Sequence, residues 1–135
     1  MLTVYKGVVH PWLCDAMGHL TTRHYMGMFD DASYHLLREL FGYAGPFGAF
    51  EGKGWADVRH LIEYKGEVAA GALVEVRGAL VKLGGKSLTV RFEMINLATH
   101  EIAATMEAVT AYFDLTARKA IPLTDAMRAS AEKLK

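Results

Sequence analysis

The residues best suited to chemistry lie together in HPWLCDAMGHLTTRHYMGMFDDA, residues 10–32. Asp15 and His19 flank a short turn containing Gly18, just ahead of a predicted helix. A carboxylate placed there can act as a nucleophile or as a general base toward water. The free N–H groups of the first helical turn point back at the same place, with the positive end of the helix dipole behind them. Such donors polarise a carbonyl and hold a developing oxyanion. A carboxylate facing a helix N-terminus therefore fits acyl transfer. An Asp before a helix also serves as a turn or capping residue, and spacing alone does not choose between the two.

Other candidates carry less. His24 and His35 fall on the same helix, where a solvated or hydrogen-bonded imidazole is ordinary. No His pair at i, i+4 has a third ligand nearby, so no metal is expected. Asp30 and Asp31 are neighbours, and neighbours on a helix point apart. Cys14 has no His placed in sequence to activate it. Gly84-Gly85-Lys86-Ser87 lacks the GxxxxGK[ST] pattern of a phosphate loop, but Lys86 can still meet a phosphate as an exposed point charge.

These residues need elements to hold them. Tyr25, Met28, Phe29, Ala32, Leu36 and Leu40 recur at helical spacing, which predicts a helix over about Thr22–Phe41. Met26, Tyr34, Leu37 and Phe41 widen its apolar surface, so it is expected to be wrapped on several sides. Thr21 or Thr22 suits its N-cap, and Gly42 its end. The glycine-rich stretch from Gly42 to Gly54 reads as one long connection. Period-two patterns then predict strands around Val58–Tyr64, Leu73–Leu83, Leu88–Met94 and Ile102–Leu115, with a tight turn at Gly84-Gly85. Ile102–Leu115, apolar or small on both faces, is expected to be a central strand. Leu2–His10 makes a first strand, and Pro122, Thr124 and Asp125 announce a short terminal helix to about Leu134. A mainly antiparallel sheet curled around one buried helix satisfies this order, an α+β layout.

Composition narrows the function classes. The 135 residues fit one domain, residues 1–135. Lys+Arg and Asp+Glu balance at 15 each, which argues against a polyanion groove, so no nucleic acid is expected. The 52% hydrophobic content supports a real core. A single cysteine excludes an internal disulfide framework. No signal peptide is visible and no apolar run nears the ~18–20 residues of a membrane span, so a cytoplasmic protein with no membrane partner is the expectation.

Taken in order, Asp15-Ala16-Met17-Gly18-His19, Tyr25 and Phe29-Asp30-Asp31-Ala32 resemble the hot-dog-fold acyl-CoA thioesterases of the 4-hydroxybenzoyl-CoA thioesterase-like group. His60-Leu61-Ile62-Glu63-Tyr64 with Ala70-Gly71, Lys86-Ser87-Leu88, and Ala111–Leu115 with Ile121-Pro122-Leu123 continue the resemblance over nearly the whole chain. It implies a five-stranded antiparallel sheet wrapped around one long central helix. It implies an enzyme that hydrolyses an acyl-CoA thioester to a carboxylic acid and coenzyme A, with no separate cofactor.

Carried over by position, Asp15 matches the catalytic carboxylate, as nucleophile or general base. His19 matches a His of the subset whose motif runs Gly-His-hydrophobic-Asn. Gly18 matches the glycine of the active-site turn, and Tyr25 the tyrosine that ends it. Thr22 falls where a helix-start N–H binds the thioester oxygen. Lys86 falls near hairpin residues that meet coenzyme A phosphates. Thr21 and Met17 stand where relatives carry Asn, and Gly84-Gly85 where some carry two arginines. The resemblance also implies a homodimer or homotetramer with the active site at the subunit interface. Three alternatives stay open: an acyl-carrier-protein thioesterase, a non-catalytic acyl-thioester-binding domain, and a hot-dog hydratase, for which no Gly-Asp-x-Asn-Pro-like run is present.

Overall fold

Helix α1 (Thr22–Phe41) carries the apolar stripe on which the sheet closes. In the computed structural model, which describes residues 1–45 and 51–134, its buried residues are the six that set the helical spacing. Gly42 ends it in the left-handed conformation at φ 75°, its N–H donating to the Arg38 carbonyl at 2.7 Å. Glycine takes that conformation without a Cβ penalty. Thr21 occupies the N-cap with extended backbone, but its hydroxyl donates to the Leu13 carbonyl at 3.2 Å instead of capping the helix.

The strands are β1 (Leu2–Val8), β2 (Lys53–Tyr64), β3 (Leu73–Leu83), β4 (Ser87–Asn96), β5 (Ile102–Asp114) and the short β6 (Lys119–Ala120). All pair antiparallel in the order β1-β3-β4-β5-β2, and β6 pairs with β5. The architecture is thus five long strands curled around one long helix, the hot-dog layout, with a two-residue sixth strand that periodicity did not reveal. β5 is internal, flanked by β2 and β4, which explains its burial on both faces. β1 and β2 are the two edges. A second helix, α2 (Asp125–Glu132), is capped by the Thr124 hydroxyl, which accepts from Met127 N–H at 3.1 Å.

Phe29 and Phe92 are fully buried, ring centroids 6.3 Å apart, and join the helix to the middle of the sheet. Burying a side chain of that size is worth about 1.5–3 kcal/mol. α2 seals the end of this core. Ser130 Oγ donates to the last-turn carbonyl of Leu40 at 2.6 Å, and Arg128 donates to the Gly84 carbonyl at 2.8 Å.

Two expectations need correction. The predicted connection Gly42–Gly54 overlaps β2, which begins at Lys53 because Lys53 and Gly54 already pair with Asp114 and Phe113. Residues 46–50 of that connection lie outside the described residues. The helix is also less covered than the expected wrapping on several sides: Tyr34, part of its widened apolar surface, is 52% exposed, and the buried positions form the one stripe from Tyr25 to Leu40.

Candidate active site

The turn before α1 is built by Asp15 itself. Its N–H donates to the His19 carbonyl at 2.9 Å, and its carbonyl accepts from Gly18 at 3.0 Å. Oδ1 accepts from the N–H groups of Met17 at 2.9 Å and His19 at 3.2 Å. Gly18 sits at φ 79°, where a Cβ would be strained. The half-buried carboxylate is therefore locked in orientation through one oxygen, while no protein donor occupies Oδ2 among the described residues.

A second segment, after β2, braces the turn from outside. Leu20 N–H donates to Val68 O at 2.8 Å, Ala70 N–H to Gly18 O at 3.0 Å, and His19 forms a bridge with Ala69. His19 Nε2 stands 3.4 Å from Glu67 Oε2. Tyr25 donates its hydroxyl to the Gly66 carbonyl at 3.3 Å and meets the Tyr64 ring edge-on at 5.1 Å. Burial, with Tyr64 and Glu67 adding to it, raises the Tyr25 phenol above its ordinary value, so it stays neutral and keeps donating. Asp15, His19, Tyr25, Tyr64 and Glu67 line one open cleft of about 360 Å³.

The helix start lies beside this cleft. The N–H groups of Thr22 and Arg23, in the first turn, have no acceptor among the described residues. Leu20 and Tyr25, on either side of Thr22, both line the cleft, although Thr22 does not line it itself. Two free donors at the positive end of a twenty-residue helix suit a developing oxyanion.

Lys86 stands apart. Its carbonyl accepts from Tyr112, whereas the cleft residue Tyr64 pairs with Ala104, eight residues earlier on β5. At ~3.3 Å per residue the two lie about 26 Å apart within one chain. Asp30 and Asp31 are exposed, and Cys14 donates to the His10 carbonyl at 3.5 Å. No cluster of three or more His, Cys, Asp or Glu that could hold a metal exists among the described residues. Glu67, Tyr64 and Gly66 are the residues local spacing missed. They are 45 or more positions from Asp15 and reach it only through β2 and its following turn.

Residues 9–130 match the profile of the thioesterase-like superfamily. The chain belongs to that superfamily. The thioesterase is an enzyme of the thioester-hydrolysing class, and its fold recurs in solved structures of that class. It is similar to a 1,4-dihydroxy-2-naphthoyl-CoA thioesterase from Synechocystis, with 15% identity and TM-score 0.83 over 98% of this chain and 96% of the other. A thioesterase from Thermus thermophilus complexed with coenzyme A and zinc gives 20% identity and TM-score 0.81 over 96% and 90%. A Staphylococcus aureus protein in complex with CoA gives 13% identity and TM-score 0.86 over 98% and 85%. No curated protein matches the sequence. No helix among the described residues is long and apolar enough to cross a membrane.

Proposed function

We propose that this thioesterase hydrolyses an acyl-CoA, with Asp15 as nucleophile or general base. The observation that carries the reading is the locked Asp15 carboxylate, one oxygen held by Met17 and His19 and the other unpartnered among the described residues, beside the free N–H groups of Thr22 and Arg23. The thioester carbonyl oxygen takes the charge of the tetrahedral intermediate at those N–H groups. The attacking oxygen comes from Asp15 directly or from a water it deprotonates. Collapse breaks the C–S bond, the coenzyme A thiolate takes up a proton, and hydrolysis leaves the carboxylic acid. His19, which lines the same cleft with its Nε2 3.4 Å from Glu67 Oε2, is the proposed donor of that proton. The reaction draws on no cofactor beyond the coenzyme A of the substrate. CoA-bound structures of the same fold support the carrier.

The working unit is a dimer. β2 is a twelve-residue edge strand, and Val58, Leu61 and Tyr64 on it are 63%, 46% and 50% exposed. A twelve-residue edge strand with a row of backbone N–H and C=O groups free among the described residues is a pairing surface, and a second copy satisfies it isologously. Antiparallel pairing of the two full-length strands about their midpoint sets Tyr64 of one subunit opposite the partner subunit's Lys53. The reading is tested by incubating purified protein with a panel of acyl-CoA esters and following free thiol with a chromogenic reagent. Thiol release above the uncatalysed rate from some panel member is expected. Saturable binding of the esters without release would replace the enzyme with a binding domain.

A further inference from the structure

A second cavity, about 170 Å³, lies between α1 and strands β2, β4 and β5. Its inner walls include Leu36, Leu40, Leu88 and Val90. A cavity of this size holds a ligand fragment about as large as benzene, so it can seat the end of an acyl chain but not a nucleotide. Only two buried side-chain polar atoms among the described residues lack a hydrogen-bond partner, Trp55 Nε1 and Thr110 Oγ1, and both residues line this cavity. Thr110 is 7% exposed. Thr110 pairs across the ladder with Asp57, two residues from Trp55, so both side chains stand on one face of the sheet as diagonal neighbours. An unpaired buried polar group is costly, and two in one cavity point to a ligand that satisfies them.

The chemistry of the lining selects that ligand. An indole N–H only donates and a hydroxyl does both, so the pair calls for an oxygen that accepts. Asp30 and Asp57 also line the cavity and oppose an anionic end. Lys53, the cation on the lining, faces Asp114 across the ladder, and its charge helps hold that carboxyl low. A flat aryl group finds no free stacking surface at Trp55, whose ring already packs on Phe41 at 5.4 Å and Tyr112 at 5.2 Å. The other aromatic walls are also engaged, Phe92 with Phe29 at 6.3 Å and Tyr34 with Tyr43 at 6.0 Å, and most of the rest are leucines and Val90.

Position decides which active site the cavity serves. Asp57, beside Thr110, is seven residues from the cleft residue Tyr64 along β2, about 23 Å. That is beyond a medium-length acyl chain starting at Asp15 of the same subunit. Pairing of the two β2 edges brings the Tyr64 end of one subunit against the Lys53–Asp57 end of its partner. We infer that this cavity is the acyl-end pocket of the partner's active site, and that it takes an aliphatic acyl chain bearing an uncharged hydroxyl or keto oxygen near its far end. The inference rests on the thioesterase reading and on the β2 dimer.

The test compares hexanoyl- to dodecanoyl-CoA esters with their distally hydroxylated and keto counterparts, and with benzoyl- and hydroxybenzoyl-CoA. The wild-type enzyme is expected to favour an oxygenated aliphatic ester about three- to tenfold in kcat/KM over its unsubstituted parent. Thr110→Val and Trp55→Phe are each expected to erase most of that preference, read as the ratio of kcat/KM for the oxygenated ester to that for its parent within each variant. Thr110→Val is also expected to hold or raise the melting temperature, since it removes an unsatisfied hydroxyl. Co-expressing the Trp55→Phe chain with an excess of Asp15→Asn chain is expected to restore the preference. Each intact Asp15 then faces a partner with an intact pocket. A pocket used within its own subunit gives no restoration and overturns the cross-subunit assignment. Equal rates with and without the oxygen, or a preference for the aryl esters, overturn the inference while the thioesterase reading stands. No thiol release from any ester overturns that reading instead.

Discussion

His19 Nε2 lies 3.4 Å from Glu67 Oε2, although the two residues are 48 positions apart in the chain. The contact closes a frame in which the turn after β2 holds the turn before α1, so the imidazole beside Asp15 is set by a carboxylate from another element. Glu67→Gln removes the charge and keeps the shape. The Glu67 side chain is 78% exposed, and exposed pairs of this kind are worth roughly 0.2–1 kcal/mol. The expected result is a kcat about one and a half to fivefold lower, with KM and melting temperature unchanged. A change in melting temperature with kcat intact would make the contact purely structural.

Gly18 tests the turn itself. Nothing lies within 4 Å of a Cβ built there, so Gly18→Ala meets no clash, only the backbone strain of φ 79°. That strain costs about 1–2 kcal/mol. Either the melting temperature falls by about 4–8 °C, or the turn relaxes and Asp15 moves. A fall in kcat beyond that of a stability-matched core variant is expected.

Gly78 makes the opposite case, a steric one. A Cβ there would come 3.0 Å from the Phe92 ring and 3.3 Å from Val4. Gly78→Ala is expected to destabilise by about 1–3 kcal/mol in urea unfolding, with kcat preserved in the folded fraction. Phe92 is fully buried against Phe29, so a shift of its ring disturbs that contact.

Asp114 supplies a pH dependence. Its Oδ1 accepts from Ala117 and Thr116, both at 2.9 Å, and these N–H groups hold its carboxyl below the ordinary value. An acid held lower in the fold than in the unfolded chain adds stability above its unfolded value, about 4. That contribution is lost as pH falls through the lower folded value. Asp114→Asn keeps an acceptor oxygen but no longer titrates. Its urea midpoint is expected to be lower than wild type at neutral pH. The gap should narrow on acidification below about pH 4.

The sequence made α1 legible almost to the residue, because six apolar positions at helical spacing survive as its buried face. β4 and β5 were equally readable, one from strict alternation and the other from apolar or small residues on both sides. β2 was read short. Its first residues are lysine and glycine, whose strand state comes from β5 across the ladder and not from their own preferences. The Asp15–Gly18–His19 turn was visible because its bonds are local. Glu67, Tyr64 and the Trp55–Thr110 cavity were not, because they join segments that approach only when the sheet curls. The separation of Lys86 from the cleft was hidden for the same reason.

The central claim is that Asp15 performs the chemistry, and Asp15→Asn tests it most directly. The amide keeps the shape and can still accept from Met17 and His19, so the turn and the melting temperature should hold. With the best ester of the acyl-CoA panel, kcat is predicted to fall by about a hundredfold or more, the scale of a lost general base or nucleophile. An Asp15→Asn enzyme that folds and releases thiol at the wild-type rate would contradict the account.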